Sequence, residues 1–134
     1  MTGPVTVMLW ASSSALDTDF TAKLIDVYPP SDDYPNGVDL GIGDSIVRAR
    51  YRNRTGRAAL LTPGRPAEFT IEMYPTSLVF RKGHRIRLDI SSSNFPRFDR
   101  NANTGGPIGR EPASAFLPAL QAVHHSADYP SHVK

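Results

Sequence analysis

The 134-residue sequence contains no cysteine. Disulfide bonds, thiolate metal sites, redox CxxC chemistry and a cysteine nucleophile are therefore excluded. The missing thiol does not identify the compartment, because a reducing cytosol does not forbid cysteine. A chain of this length can bury enough surface in a single core to fold without cross-links, and we expect one domain covering residues 1–134.

Net charge and long apolar runs are also scarce. The 15 Lys and Arg residues nearly balance the 13 Asp and Glu residues, so the formal net charge is +2. Such a small excess exerts little long-range attraction on nucleic acid or on an anionic membrane. No apolar run approaches a transmembrane span, and the first ten residues lack the regions of a signal peptide. We expect no nucleic-acid or membrane partner, and the pattern favours a soluble, cytoplasmic protein over a secreted one.

Helical periodicity is almost absent, whereas apolar and polar residues alternate along much of the chain. Residues 6–11 are apolar on both faces, which predicts an interior strand, and Phe20 to Tyr28 alternates. Residues 68–73 and 85–90 alternate in the manner of half-buried antiparallel strands. Because 12 prolines and 10 glycines separate these segments, the sequence predicts an all-β fold, a two-sheet jelly-roll sandwich.

The remaining segments predict a strand, two loops and shorter elements. Ile46 to Arg52 alternates and predicts a strand with Arg48, Arg50 and Arg52 on one face. Segments 31–44 and 94–112 lack periodicity and predict long loops. Residues 114–121 predict a short helix, and residues 122–125 predict a last strand.

The alternation also predicts which side chains are buried. Trp10 lies inside an apolar strand and is expected to be buried. The predicted core comprises Val7, Leu9, Phe20, Leu24, Val47, Tyr51, Ile71, Ile86, Leu88 and Ile90.

The chain opens in a buried-type strand and stops just after a strand-like stretch, so it resembles a domain truncated at both ends.

Serine and histidine residues offer weak signals of chemistry. Gly43-Asp44-Ser45 matches the nucleophile block of one group of lipases, but the serine precedes a strand, and Asp128 stands four residues before His132 instead of three. The four histidines lack ligand spacing, and the adjacent pair His124 and His125 would point to opposite faces of a strand. The sequence therefore predicts no catalytic residue, no bound metal and no cofactor.

The alternating arginines leave two interpretations open. Arg48, Arg50 and Arg52 could bind phosphate or a carboxylate-bearing ligand. Ion pairs across strands would explain the same row without any ligand, and we favour this interpretation. The outward-facing carboxylates available for such pairs are those of Glu68, Glu72 and Asp89.

The segment from Ser91 to Gly105 is rich in Asn, Arg and aromatic residues. Its Asn and Asp side chains can hydrogen-bond to nearby backbone, so it could form a rigid loop that faces a partner. A plain structural loop is the alternative. The candidate interface residues are Asn94, Phe95, Pro96, Arg97, Phe98, Asp99, Arg100, Asn101 and Asn103.

Four blocks together, residues 11–27, 46–52, 80–90 and 91–105, resemble the C-terminal domain of the cocaine esterase and X-prolyl dipeptidyl-peptidase family. The resemblance implies a galactose-binding-like jelly roll without catalytic residues. It also implies an α/β-hydrolase domain of the same polypeptide as partner, which carries the serine, aspartate and histidine. The chain would then be an accessory β domain that packs on that catalytic domain and helps to shape its substrate pocket, for ester, amide or X-prolyl substrates.

A second function class is a free-standing carbohydrate-binding jelly-roll module. Exposed aromatic side chains such as Trp10 or Tyr34 would then stack on sugar rings. The expected burial of Trp10 favours the accessory domain instead. We also expect self-association of the fragment, through the edge of its first strands or through the loop from Asn94 to Gly105.

Overall fold

A computed structural model describes all 134 residues, and nearly all of its regular structure is β-strand. The rest of the regular structure consists of two short 3-10 turns, Ala49–Tyr51 and Ala113–Ala115. No helix has the length and apolar character needed to cross a membrane. The strands are β1 (Thr2–Gly3), β2 (Thr6–Ser13), β3 (Asp19–Tyr28), β4 (Val38–Arg48), β5 (Ala67–Glu72), β6 (Thr76–Ser77), β7 (Arg85–Ser91), β8 (Gln121–Val123) and β9 (His132–Val133).

Two antiparallel sheets make up the sandwich. In the first sheet, β2 pairs with β5 along one edge and with β8 and β9 along the other. In the second, β3 lies between β4 and β7. A separate two-residue ladder joins β1 and β6. The predicted all-β, jelly-roll-like fold is confirmed, and so is the interior position of the strand at residues 6–11.

The core lies between the two sheets, where their inward side chains meet. Twelve buried apolar residues form one cluster, and the rings of Phe20 and Phe69 face each other across the sheets with centroids 4.8 Å apart. Val7, Leu9, Phe20, Leu24 and Ile71 are buried, as predicted. The other predicted core residues that pack against this cluster are partly buried, namely Val47, Leu88 and Ile90.

Three predictions of burial are wrong. Tyr51 is 41% exposed because β4 ends at Arg48 and the following turn breaks the alternation. Ile86 is 65% exposed, since it lies in the first three residues of β7, all of which are exposed, whereas Leu88 and Ile90 on the same strand pack against the core. Trp10 is only half-buried; its ring packs against Tyr129, with centroids 5.2 Å apart.

Several element bounds also differ from the prediction. β4 already begins at Val38, within the predicted loop, and a bulge opposite Leu24 and Ile25 interrupts its two-residue period. Such a bulge shifts the faces of a strand by one residue and hides the alternation. The predicted helix at residues 114–121 is only the Ala113–Ala115 turn, whereas the predicted last strand corresponds to β8.

Candidate interface loop and its buried anchors

The segment from Asn94 to Pro112 contains no strand, as predicted. Its first anchor is Asp44 on β4. The Asn94 Nδ2 group donates a hydrogen bond to Asp44 Oδ2 at 2.8 Å, and Arg97 Nε lies 2.9 Å from Asp44 Oδ1. The aspartate of the lipase-like Gly-Asp-Ser block is thus a structural anchor for the loop.

The second anchor is a pair of buried carboxylates. Asn101 Nδ2 donates hydrogen bonds to Asp17 Oδ2 at 3.0 Å and to Asp19 Oδ1 at 2.9 Å. Both aspartates are almost completely buried. The Asn101 Oδ1 atom in turn accepts a hydrogen bond from the backbone N–H of Asn103 at 2.9 Å. A single amide side chain therefore fixes the loop both to the sheet and to its own backbone.

Two arginines balance the charge of these carboxylates. Arg50 Nε lies 2.7 Å from Asp17 Oδ2, and Arg48 contacts both oxygens of Asp19 at 2.9 and 3.1 Å. The hydrogen bond with Asp19 raises the pKa of Arg48 above its usual value, although burial acts in the opposite direction. A buried charge needs such a partner, because the cost of removing it from water is large.

The strand register explains why these four residues meet. Asp19 lies opposite Arg48 in the β3–β4 ladder. Beyond the end of the ladder the two segments stay in contact, since the Ala49 N–H donates to the Thr18 oxygen and the Arg50 N–H donates to Asp17 Oδ1, both at 2.9 Å. The spacing Asp-x-Asp in one segment and Arg-x-Arg in another is therefore the sequence signal for the cluster. Alternation alone did not reveal this cluster, because the period of a strand does not specify which strand it pairs with.

The predicted row of three arginines on one strand face is wrong. Since β4 ends at Arg48, Arg50 turns inward and is buried, while Arg52 Nη1 donates to the backbone oxygens of Ala49 and Ala59. Arg48 and Arg50 do form ion pairs, but their partners are Asp19 and Asp17 instead of the expected Glu68, Glu72 or Asp89. Of the expected carboxylates, Glu72 pairs with Arg54 and Asp89 pairs with Arg87.

The outer surface of the loop carries aromatic and cationic side chains. Phe95 is 64% exposed, and the Arg100 guanidinium lies over its ring at 5.4 Å and over the Phe116 ring at 5.0 Å. Arg97 lies over the half-buried Phe98 at 5.5 Å. Stacking of this kind stabilises exposed side chains in one arrangement.

The remaining predicted loop residues, Pro96, Asp99 and Asn103, take no part in the ion pairs or ring contacts described above. Pro96 and Asp99 are exposed. Asn103 adopts a left-handed backbone conformation with φ of 64°, which asparagine tolerates better than most residues. Its Nδ2 group donates to the backbone oxygen of Leu117 at 2.7 Å. The predicted residues thus divide into anchors that face the sheet and side chains that face outward.

The serine and histidine residues do not form the arrangement of a hydrolase. Ser45 lies within β4 opposite Ala22. His84 Nδ1 bonds to Asp26, His132 Nδ1 bonds to a backbone oxygen, and His124 Nε2 lies 3.0 Å from the buried hydroxyl of Ser12. No three His, Asp or Glu side chains stand together in the manner of a metal site.

Comparison with known proteins agrees with this architecture. Residues 1–134 match the family described as the X-Pro dipeptidyl-peptidase C-terminal non-catalytic domain. Cocaine esterase from Rhodococcus sp. (strain MB1 Bresler) is 46% identical over 133 residues, which are 99% of this chain and 22% of that protein. The chain thus spans about a fifth of the length of this relative.

Solved structures give the same result. An aminopeptidase from a marine sediment Thaumarchaeota archaeon superposes with a TM-score of 0.92 and 34% identity, over 98% of this chain and 22% of that one. An α-amino acid ester hydrolase superposes with a TM-score of 0.91 and 33% identity, over 98% and 23% of the two chains. Since the family match covers every residue, the chain belongs to the family of X-Pro dipeptidyl-peptidase C-terminal non-catalytic domains.

Proposed function

We propose that this chain is the accessory β domain of a serine hydrolase of the cocaine esterase or X-prolyl dipeptidyl-peptidase type. It packs on an α/β-hydrolase catalytic domain of the same polypeptide and helps to shape the substrate pocket. The observation that carries this proposal is the family match over residues 1–134. In addition, the matched segment is only 22% of the length of cocaine esterase, an enzyme by name.

The loop anchored by Asp44 and Asn101 supports a contact role. Arginine and aromatic residues are enriched in the buried centres of protein interfaces. Phe95 and Arg100 project outward from a loop whose inner side is hydrogen-bonded to Asp44 and Asp17. Little conformational entropy is therefore lost when a partner covers them. We propose that the loop with the nine residues named from the sequence is part of the contact with the catalytic domain: outward side chains such as those of Phe95 and Arg100 touch that domain, and the inward-bonded Asn94, Asn101 and Asn103 hold them in position.

A chimera tests the proposal. In this chimera, the complete 134-residue chain replaces the 133-residue segment of cocaine esterase that it matches. We expect a folded chimera that hydrolyses p-nitrophenyl esters, whereas cocaine esterase lacking that segment is unstable or inactive. A chimera that behaves like the shortened esterase would contradict the accessory role.

Self-association of the isolated chain remains a separate prediction. If the surface that meets the catalytic domain is bare, a second copy can cover it instead. Sedimentation across a hundredfold concentration range tests this. A strict monomer at every concentration would contradict self-association without affecting the accessory role.

A further inference from the structure

Four exposed leucines lie on neighbouring segments at the end of the sandwich next to the candidate loop. Leu16 and Leu60 are each 44% exposed, Leu117 is 53% exposed and Leu120 is 80% exposed. A single exposed leucine is ordinary, but a group of them on a surface indicates a contact site. We name residues 14–16, 60–62, 102–106 and 117–121 the leucine patch.

Contacts between these segments show that two of the leucines adjoin each other. The backbone N–H of Leu61 donates to the Leu16 oxygen at 2.8 Å. Gly105 lies against both side chains, since a Cβ atom at this position would be 3.2 Å from Leu60 Cδ1 and 3.4 Å from Leu16 Cβ. The glycine therefore allows the loop to approach the pair closely.

The other two leucines are joined to the same segments. Leu120 and Ser14 exchange two hydrogen bonds, from Ser14 N to the Leu120 oxygen at 3.0 Å and from Leu120 N to Ser14 Oγ at 2.9 Å. The backbone N–H of Leu117 donates to the Ala102 oxygen at 3.0 Å. All four segments of the leucine patch are thus direct neighbours in the fold.

The four segments of the leucine patch contain no charged residue, although 21% of the whole chain is charged; at the border of the patch the Glu111 carboxylate accepts a hydrogen bond from Thr104. Depletion of charge is typical of the centre of a protein interface. The patch is also held in place from inside, because Arg50 Nη1 donates to the Gly106 oxygen at 2.9 Å while its Nε atom pairs with Asp17. A surface fixed in this way loses little entropy on binding.

We propose that the leucine patch is the surface on which the apolar part of the catalytic hydrolase domain packs, beside the Asn94–Asn103 loop. This inference rests on the proposed function, because the catalytic hydrolase domain that would cover the patch is part of that proposal. In the relatives, most of the polypeptide lies outside the matched segment and is available to cover the patch. The four segments contain no cationic side chain, so they exert no electrostatic attraction on anionic lipid or nucleic acid.

Amide hydrogen exchange in the chimera and in the isolated chain tests the location of the contact. We expect exchange at residues 14–16, 60–62 and 117–121 to slow by roughly tenfold or more in the chimera, because packing suppresses local opening. Protection confined to other residues would overturn the proposal, while an active chimera would leave the accessory function standing. A chimera that does not fold would contradict both.

Substitutions with matched controls give an independent readout. Leu16→Lys combined with Leu120→Lys places two charges in the patch. Leu40→Lys combined with Val79→Lys is the control, because those residues are 43% and 77% exposed and lie outside the patch. We expect the patch variant to lower the melting temperature of the chimera by about 2 °C or more and the control variant to leave it unchanged.

The same pair of variants in the isolated chain separates docking from local structure. If the patch variant destabilises the isolated chain as much as it destabilises the chimera, the leucines belong to the internal packing of this domain, and the proposal fails. If it only dissociates a dimer of the isolated chain and leaves the chimera unchanged, the patch binds a second copy, and the proposal also fails.

Discussion

Asp17 and Arg50 form a buried ion pair, in which Arg50 Nε and the backbone N–H of Arg50 both donate to the Asp17 carboxylate, at 2.7 and 2.9 Å. The two residues are 33 positions apart in the chain, and they meet just beyond the end of the β3–β4 ladder, where Ala49 still bonds to Thr18. Because Asn101 binds the same carboxylate and Arg50 also binds the Gly106 oxygen, this pair connects the sheet to both proposed contact surfaces.

Arg50→Ala should strongly destabilise the chain. The change leaves the Asp17 carboxylate buried without its cation, which costs about 3–5 kcal/mol of unfolding free energy. Arg54→Ala is the control, because Arg54 and Glu72 pair at the exposed surface, and such pairs contribute about 1 kcal/mol or less. Urea unfolding of both variants measures the difference, and equal losses would contradict the structural role of the buried pair.

Asn101→Ala should loosen the candidate loop. It removes the amide group that donates to Asp17 and Asp19, and the loss of hydrogen bonds to buried groups costs about 1–3 kcal/mol. We expect faster amide exchange at residues 95–106 than in the parent chain. Asn53→Ala is the control, since Asn53 is exposed, and an unchanged loop in Asn101→Ala would show that Asp44 alone is sufficient to fix it.

Arg48→Lys should make stability sensitive to alkaline pH. Lysine cannot contact both oxygens of Asp19 in the way that Arg48 does, so we expect a loss of about 1.5–3 kcal/mol at neutral pH. We expect pairing with Asp19 to raise the pKa of the lysine in the folded state above its unfolded value of about 10.4, as the same pairing raises the pKa of Arg48 against the effect of burial. Its contribution is then complete below that value and is lost as the pH rises through the folded pKa.

Comparison with the parent chain isolates this effect of pH. The pKa of Arg48 is already raised above the usual value for arginine, so its contribution stays constant over the range in which the lysine titrates. The difference in unfolding free energy between parent and variant should therefore widen above a pH of about 10. A constant difference from pH 8 to pH 11.5 or so would contradict the ion pair with Asp19.

The isolated chain should not hydrolyse esters. Ser12 is paired with His124 but is buried within β2, and Ser45 has no histidine among its hydrogen-bond partners. We expect neither turnover of p-nitrophenyl esters or X-prolyl-nitroanilides nor labelling by a fluorophosphonate probe. Labelling that disappears in Ser45→Ala or Ser12→Ala would assign a nucleophile to this domain and overturn its non-catalytic role.

Calorimetric titration with sugars should detect no binding if the accessory role is the only function. Trp10 is half-buried and packs against Tyr129, which leaves less of its ring free for stacking. Tyr34, the other candidate from the sequence, is 47% exposed and lies beside Tyr28, with ring centroids 6.1 Å apart. Tyr74 is a further platform, since it is 83% exposed and borders a groove of about 710 Å³ on the β4-β3-β7 sheet. Saturable binding that is lost in Tyr34→Ala or in Tyr74→Ala would instead support the carbohydrate-binding module.

Local alternation was sufficient to predict most strands and much of the core. Val7, Leu9, Phe20 and Ile71 are buried because alternate side chains of a strand face the same way, whatever the strand pairs with. The prediction failed where the period changed. The bulge in β4 and the turn after Arg48 each shift the faces of the chain, and neither leaves a mark in the apolar pattern.

The sequence by itself determined the all-β class, the absence of thiol chemistry and the identity of the unusual loop, because composition and period are local properties. Only the tertiary structure decided which charges are buried and which apolar residues form a surface. Asp17 and Arg50 meet where the chain continues beyond the β3–β4 ladder, and Leu16, Leu60, Leu117 and Leu120 lie on neighbouring segments because distant parts of the chain are hydrogen-bonded to each other. Such contacts depend on how the chain folds back on itself, which no single stretch of residues specifies.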